Sequence, residues 1–132
     1  MDPESKLVHT IKLRIDELGE NDNILIGLVP NDAFIVRKAM IFCNEAYSYA
    51  KTGSLYQKST LLKKGNAKYE KGDIVSLELN FNELSLRYEV HKDSKQSKSG
   101  VLLRAGEVQP LKYRWAFGLY EEKVSISVLA LS

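Results

Sequence analysis

Apolar and polar residues alternate through 9–15, where Ile11, Leu13 and Ile15 are interleaved with Thr10, Lys12 and Arg14. A period of two separates one wet face from one dry face of an extended chain, so the spacing predicts a half-buried strand. Gly19, Asn21, Asp22 and Asn23 predict a turn. The apolar run 24–29 predicts a buried strand, ended by Pro30, Asn31 and Asp32. Gly27 inside that run signals a bulge or a close backbone approach. Residues 33–44 are ambiguous. Phe34, Ile35, Val36, Ala39, Met40, Ile41 and Phe42 are broken by Arg37 and Lys38, and both a helical turn and a strand with a loop fit. Residues 46–50 follow as a short apolar and aromatic piece, with a turn at Lys51, Thr52 and Gly53. The polar stretch 55–71 reads as loop with at most short strands.

The clearest pattern lies further on. Ile74, Val75, Leu77, Leu79 and Phe81 stand against Ser76, Glu78 and Asn80, and then Leu84, Leu86, Tyr88 and Val90 alternate with Ser85, Arg87 and Glu89. Two alternating runs joined by a short loop containing asparagine predict a hairpin. Residues 91–100 are rich in lysine and serine and read as a flexible loop. Residues 101–103 make a short strand, 106–110 a connector, and 113–120 with 123–131 a final pair of strands around Glu121 and Glu122. Gly72 suits a turn that needs positive φ, and Asp73 can accept turn amides. Many short alternating strands without an amphipathic helix predict an all-β domain, either an antiparallel sandwich or a closed barrel.

Composition narrows this picture. At 132 residues the chain fits one domain, and 44% apolar residues supply its core. The single cysteine, Cys43, precludes an internal disulfide and points to a reducing, intracellular setting, cytoplasmic or nuclear. Residues 1–6 read as a disordered tail or a cloning remnant, and residues 7–132 as the domain. No apolar run approaches the ~18 residues of a membrane span, and no secretory leader is visible. A net charge of +2 is a weak prior for a polyanionic partner.

Candidate chemistry is sparse. His9 begins a strand and His91 ends one, and nothing in the spacing brings either to a nucleophile. Cys43 follows Ile41 and Phe42, as a buried structural cysteine would. One cysteine and two distant histidines cannot form a zinc centre. Asp16, Glu17, Glu20 and Asp22 around Gly19 read as a solvated acidic turn rather than a calcium site. No phosphate-binding glycine loop is present. Lys58, Lys63, Lys64, Lys68 and Lys71 with Tyr56 and Tyr69 could track a single-stranded nucleic acid. Glu70 interrupts that run, so a solvated loop is favoured. No enzyme, cofactor or metal is expected.

Several pieces in order resemble the SPRY (B30.2-type) family. Tyr69-Glu70-Lys71-Gly72-Asp73-Ile74-Val75 is similar to the family's entry into a core strand. The run from Leu77 to Leu86 resembles its strand-turn-strand, Gly100-Val101-Leu102 its following strand, and Tyr113-Arg114-Trp115-Ala116-Phe117-Gly118-Leu119 its penultimate one. Upstream, Ile11-Lys12-Leu13-Arg14-Ile15, Ile24-Leu25-Ile26-Gly27-Leu28-Val29, and Tyr47-Ser48-Tyr49 followed by Gly53 fit the same order. Ser48 stands where the family commonly has glycine. The resemblance implies a two-layer antiparallel β-sandwich of the concanavalin-like, SPRY type. It implies a non-catalytic adaptor module within a larger eukaryotic protein, binding a peptide or folded partner through loops at one end. By order, the partner-facing positions are Asn31 and Asp32, Tyr49 and Tyr56 from the 47–56 stretch, and Tyr120, Glu121 and Glu122. Tyrosines give large contact area at low entropy cost, and the two glutamates would favour basic or amide-rich segments. Trp115, mid-strand, is expected in the core. The alternative is a small-ligand barrel or a sugar-binding, lectin-like domain. The partner's identity and the oligomeric state are left open by the sequence.

Overall fold

In a computed structural model, which describes residues 7–18, 24–30, 46–57, 60–92, 96–119 and 123–132, the alternating segments become strands. β1 (Val8–Glu17) buries Ile11, Leu13 and Ile15 and exposes Lys12 and Arg14. β2 (Ile24–Pro30) is buried almost throughout. β3 (Tyr47–Ala50), β4 (Leu55–Gln57) and β5 (Thr60–Lys63) are short. β6 (Ile74–Asn80) and β7 (Ser85–His91) form the expected hairpin. β8 (Ser97–Leu103), β9 (Tyr113–Leu119) and β10 (Ser125–Leu131) complete the described elements. Every described regular element is a strand.

The strands form two antiparallel sheets of five. The first has the order β10-β1-β6-β7-β8 and the second β5-β4-β3-β2-β9. Register puts the apolar faces together: Ile11 lies opposite Leu77, Leu79 opposite Leu86, and Ile26 between Tyr49 and Phe117. Packed between the sheets are Leu13, Ile15, Leu28, Leu55, Val75, Val90 and Leu102, with Tyr47, Tyr69 and Tyr113. Fully burying one such aliphatic side chain contributes about 1.5–3 kcal/mol, so this layer supplies the main driving force for folding. The fold is thus a two-layer β-sandwich, and the barrel alternative is set aside. A second, smaller cluster, Val29 and Ala46 with Leu25 and Ala116, lies on the face of the second sheet turned away from that core.

Three expectations change. Residues 97–100, read as loop, form the first half of β8, because their backbone pairs with β7 while their polar side chains stay wet. The final two strands are not a hairpin. β9 pairs with β2 and β10 with β1, so consecutive strands enter different sheets, each matching its inward apolar side chains to a neighbour. Trp115 is only half-buried, packed against the core's margin rather than within it. Gly27 is buried opposite Ser48 and Ala116 without a register shift, consistent with close approach rather than a bulge.

The turns give the sandwich two distinct ends. Residues 51–54 and 70–73 meet at one end through the bond from Tyr69 N to Lys51 O. Leu7, residues 81–84 and Ser132 lie at the other. In the 81–84 turn, the Asn80 side-chain oxygen accepts the amides of Asn82 (2.9 Å) and Glu83 (3.0 Å), and Leu84 adopts φ 55°.

Candidate functional site

The connection from β5 to β6, residues 64–73, has no regular structure and is held by side chains instead. Gly53, at φ 90°, begins the anchoring, because the turn around it is closed by Asn66, whose side chain donates to Gly53 O at 2.9 Å. A Cβ on Gly53 would run into the Asn66 backbone carbonyl. Three tyrosines do the rest. Tyr69 donates to Tyr49 O at 2.7 Å, Tyr49 donates to Ala67 O, and Ala67 N donates to Tyr88 Oη at 3.1 Å. The Tyr49 ring meets Tyr69 edge-on, with centroids 5.1 Å apart, and lies 5.5 Å from Tyr88. Desolvation, and secondarily the neighbouring Tyr88, pushes the Tyr49 hydroxyl well above its ordinary value, so it remains a donor at neutral pH.

Where this connection passes β7 and β8 it leaves an open cleft of about 820 Å³. Its walls are Gly65, Asn66, Ala67, Lys68 and Glu70 on one side, and Tyr88, Lys92, Ser97, Lys98 and Ser99 on the other. Lys92 is engaged, donating to Asp73 Oδ2 at 2.5 Å. Lys68 and Lys98 form no ion pair among the described residues and outnumber the one wall carboxylate, Glu70, so the rim carries a net positive charge. β8 is an edge strand, so one side of its backbone is unpaired within the sheet. Gly100 sits tight against Tyr88; a Cβ there would lie 2.7 Å from the phenol oxygen. Cations, hydroxyls and an open strand edge can bind carboxylates and an extended backbone.

No catalytic pairing is assembled among the described residues. His9 packs edge-on against Phe81 at one end, and His91 contacts Glu89 at the other. No group of three His, Cys, Asp or Glu side chains is placed to hold a metal among the described residues. Among the described residues, two buried polar atoms have no hydrogen-bond partner, Ser48 Oγ and Trp115 Nε1.

Of the residues expected to face a partner, only Tyr49 and Tyr56 are among the described residues. Tyr49 is fully buried, its ring in the core and its hydroxyl committed to Ala67, so it cannot be a contact residue. Tyr56 is half-buried, opposite Ser48 and Leu61 on the outward face of the second sheet. Asn31, Asp32, Tyr120, Glu121 and Glu122 lie outside the described residues, as does Cys43. The residues that precede these segments, Pro30 and Leu119, sit at opposite ends of β2, opposite Tyr113 and Ile24 respectively. Lys68 and Lys98 were not singled out as a pair. A signal existed, since Ser97, Ser99 and Val101 alternate with Lys98, Gly100 and Leu102, a strand period hidden by its polarity.

Solved structures place this arrangement among known sandwiches. The SPRY domain of human HERC1 superposes with a TM-score of 0.70 at 11% identity, covering 92% of this chain and 73% of that one. A second human SPRY domain gives 0.64 at 16%, covering 97% and 78%. The fold is of the SPRY type. A lectin, UEA-II complexed with galactose, shares it more loosely, with a TM-score of 0.59 at 11% identity over 94% of this chain and 69% of that one. At such identities the likeness to SPRY domains and lectins is one of fold. No family model matches the sequence, and no curated protein is similar to it.

Proposed function

We propose that this SPRY-type sandwich is a non-catalytic protein-interaction module. It docks a peptide or a folded partner at the end that carries residues 51–54 and 70–73. The observation that carries this reading is the basic cleft beside the open edge of β8, with Lys68 and Lys98 unpaired at its rim. An extended segment bearing carboxylates would satisfy both the lysines and the unpaired backbone. This reading differs from the preference for basic segments expected from Glu121 and Glu122, which lie outside the described residues. An intracellular setting within a larger protein belongs to the same proposal.

Arrayed peptides of graded charge, probed with labelled protein, test it. Acidic peptides are expected to be retained by the wild type and lost by Lys68→Glu/Lys98→Glu. Retention of the same peptides by the folded double variant sinks the cleft as the docking site.

A second reading has one observation behind it. A hollow of about 330 Å³ lies on the outward face of the first sheet, among Thr10, Ser76, Glu78, Arg87, Glu89 and Ser99. Such a hollow, mixing apolar surface with hydroxyl, carboxylate and guanidinium groups on a lectin-like sandwich, suits a sugar. Binding on a glycan array that Arg87→Ala abolishes would favour this reading over the first.

A further inference from the structure

Among the described residues each sheet has two edges, and three of the four carry a charged side chain within the strand. β5 has Lys63, β8 has Lys98 and β9 has Arg114. Charged residues on an edge oppose its pairing with another chain. β10 differs. Its seven residues, Ser-Ile-Ser-Val-Leu-Ala-Leu, include no charge, no proline and no glycine. Val128 is 53% exposed, Leu129 43% and Leu131 67%. The register steps between Lys12 and Leu13, leaving Leu129 as an extra residue, and this bulge adds an exposed leucine to the edge. Ser132 exchanges both backbone bonds with Thr10. In an antiparallel ladder alternate residues turn their amides away from the partner strand, so the Leu131 amide faces outward.

We propose that β10 is the seam of a two-fold dimer, in which it pairs antiparallel with β10 of a second copy to join two five-stranded sheets into one of ten. A second copy fits this edge because a two-fold axis sets each strand against itself. A charged edge would oppose like charges, as Lys98 would if β8 paired with β8, whereas β10 opposes none. The charges beside Ser127 are also neutralised. Asp16 Oδ2 accepts from Ser127 at 2.5 Å, and its other oxygen accepts from Arg14 at 2.7 Å. β9, the edge of the other sheet, leads into β10 through five residues, so the exposed Leu119 borders the same flank. Seven paired residues span about 24 Å, and a seam about 10 Å wide along them buries roughly 240 Å² per copy. Stable dimers bury about 800 Å² per partner. The association is therefore weak and set by concentration. It is independent of the cleft, which lies at the opposite edge of the same sheet.

Sedimentation velocity between micromolar and millimolar protein tests the proposal. The wild type is expected to shift reversibly from monomer to dimer, and Val128→Lys/Leu131→Lys to remain monomeric with an unchanged thermal melt. Lys68→Glu/Lys98→Glu is expected to dimerise like the wild type. A wild type that stays monomeric throughout, or a folded Val128→Lys/Leu131→Lys variant that still dimerises, overturns the proposal. Should that variant fail to fold, hydrogen exchange on the wild type decides. Protection of the Leu131 amide that rises with concentration supports the seam, and protection independent of concentration overturns it.

Discussion

Ser48 and Tyr49 are neighbours in β3, both buried, and their side-chain oxygens have opposite effects on stability. The Tyr49 hydroxyl is committed to Ala67 O, whereas Ser48 Oγ has no partner. Removing a satisfied hydrogen bond costs about 1 kcal/mol, and removing an orphaned buried hydroxyl relieves a desolvation penalty of similar size. Tyr49→Phe is therefore expected to lower unfolding stability by about 1 kcal/mol, and Ser48→Ala to leave it unchanged or raise it by up to about 1 kcal/mol. Urea titration followed by Trp115 fluorescence measures both. Tyr49 also links stability to alkali. Its hydroxyl is raised above the ordinary tyrosine value of about 10, so the folded chain keeps a proton that the unfolded chain releases. That contribution is complete below pH ~10 and is lost as pH rises further. Tyr49→Phe should accordingly show a shallower loss of stability above pH ~10 than the wild type. The order of the SPRY resemblance put Tyr49 among the partner-facing positions, and alternation could not correct this, because it identifies the inward face only when the other face is wet. In β3 both faces are covered, and all four residues are buried.

The element that positions the cleft is the turn entering β6. Gly72 adopts φ 88°, and the buried Asp73 carboxylate accepts Glu70 N at 2.8 Å and Lys92 Nζ at 2.5 Å. The turn and the end of β7 are thereby clipped together. Asp73→Ala removes both charge-assisted bonds and is expected to cost about 2–3 kcal/mol in denaturant titrations. A cost no larger than that of an exposed surface substitution would mean that the clip is incidental. This turn was legible in advance, since Gly72 and Asp73 have side-chain and backbone chemistry that acts over three residues. The β6–β7 hairpin was legible for the same reason, its register being set locally by Asn80. The partners of β9 and β10 were not. Alternation reveals a strand and its inward face, but which distant strand lies beside it depends on how two apolar faces match across the whole chain. Thus the all-β class could be read from the pattern and the sandwich from the resemblance, whereas the cleft could not be read, because it forms where the 64–73 connection meets strands distant in sequence.

Over the whole molecule, two carboxylates tie distant segments at opposite flanks. Asp16 accepts from Ser127 and Arg14, and these bonds, the Ser127 one foremost, hold its carboxyl below the usual range. Glu107 is lowered by its bond from Lys63 (2.6 Å) and then by the Arg104 amide (2.5 Å), which joins the β8–β9 connector to β5. A carboxyl depressed by folding contributes stability that is full above its unfolded value of about 4 and is lost as pH falls through the folded one. Acidification below pH ~4 is thus expected to loosen both flanks before the centre. Exchange rates measured at pH ~3, corrected for intrinsic rate, should rise more in β10 and β5 than in β6 and β7. The position of β1 adds a constraint of another kind. It lies between β6 and β10, so one of its sides is completed only by residues more than a hundred positions later. During synthesis β1 waits for β10. Until 125–131 leave the ribosome, β1 presents an open edge beside Ile11, Leu13 and Ile15, and a nascent chain halted near 119 is the form most exposed to chaperones and to misassembly.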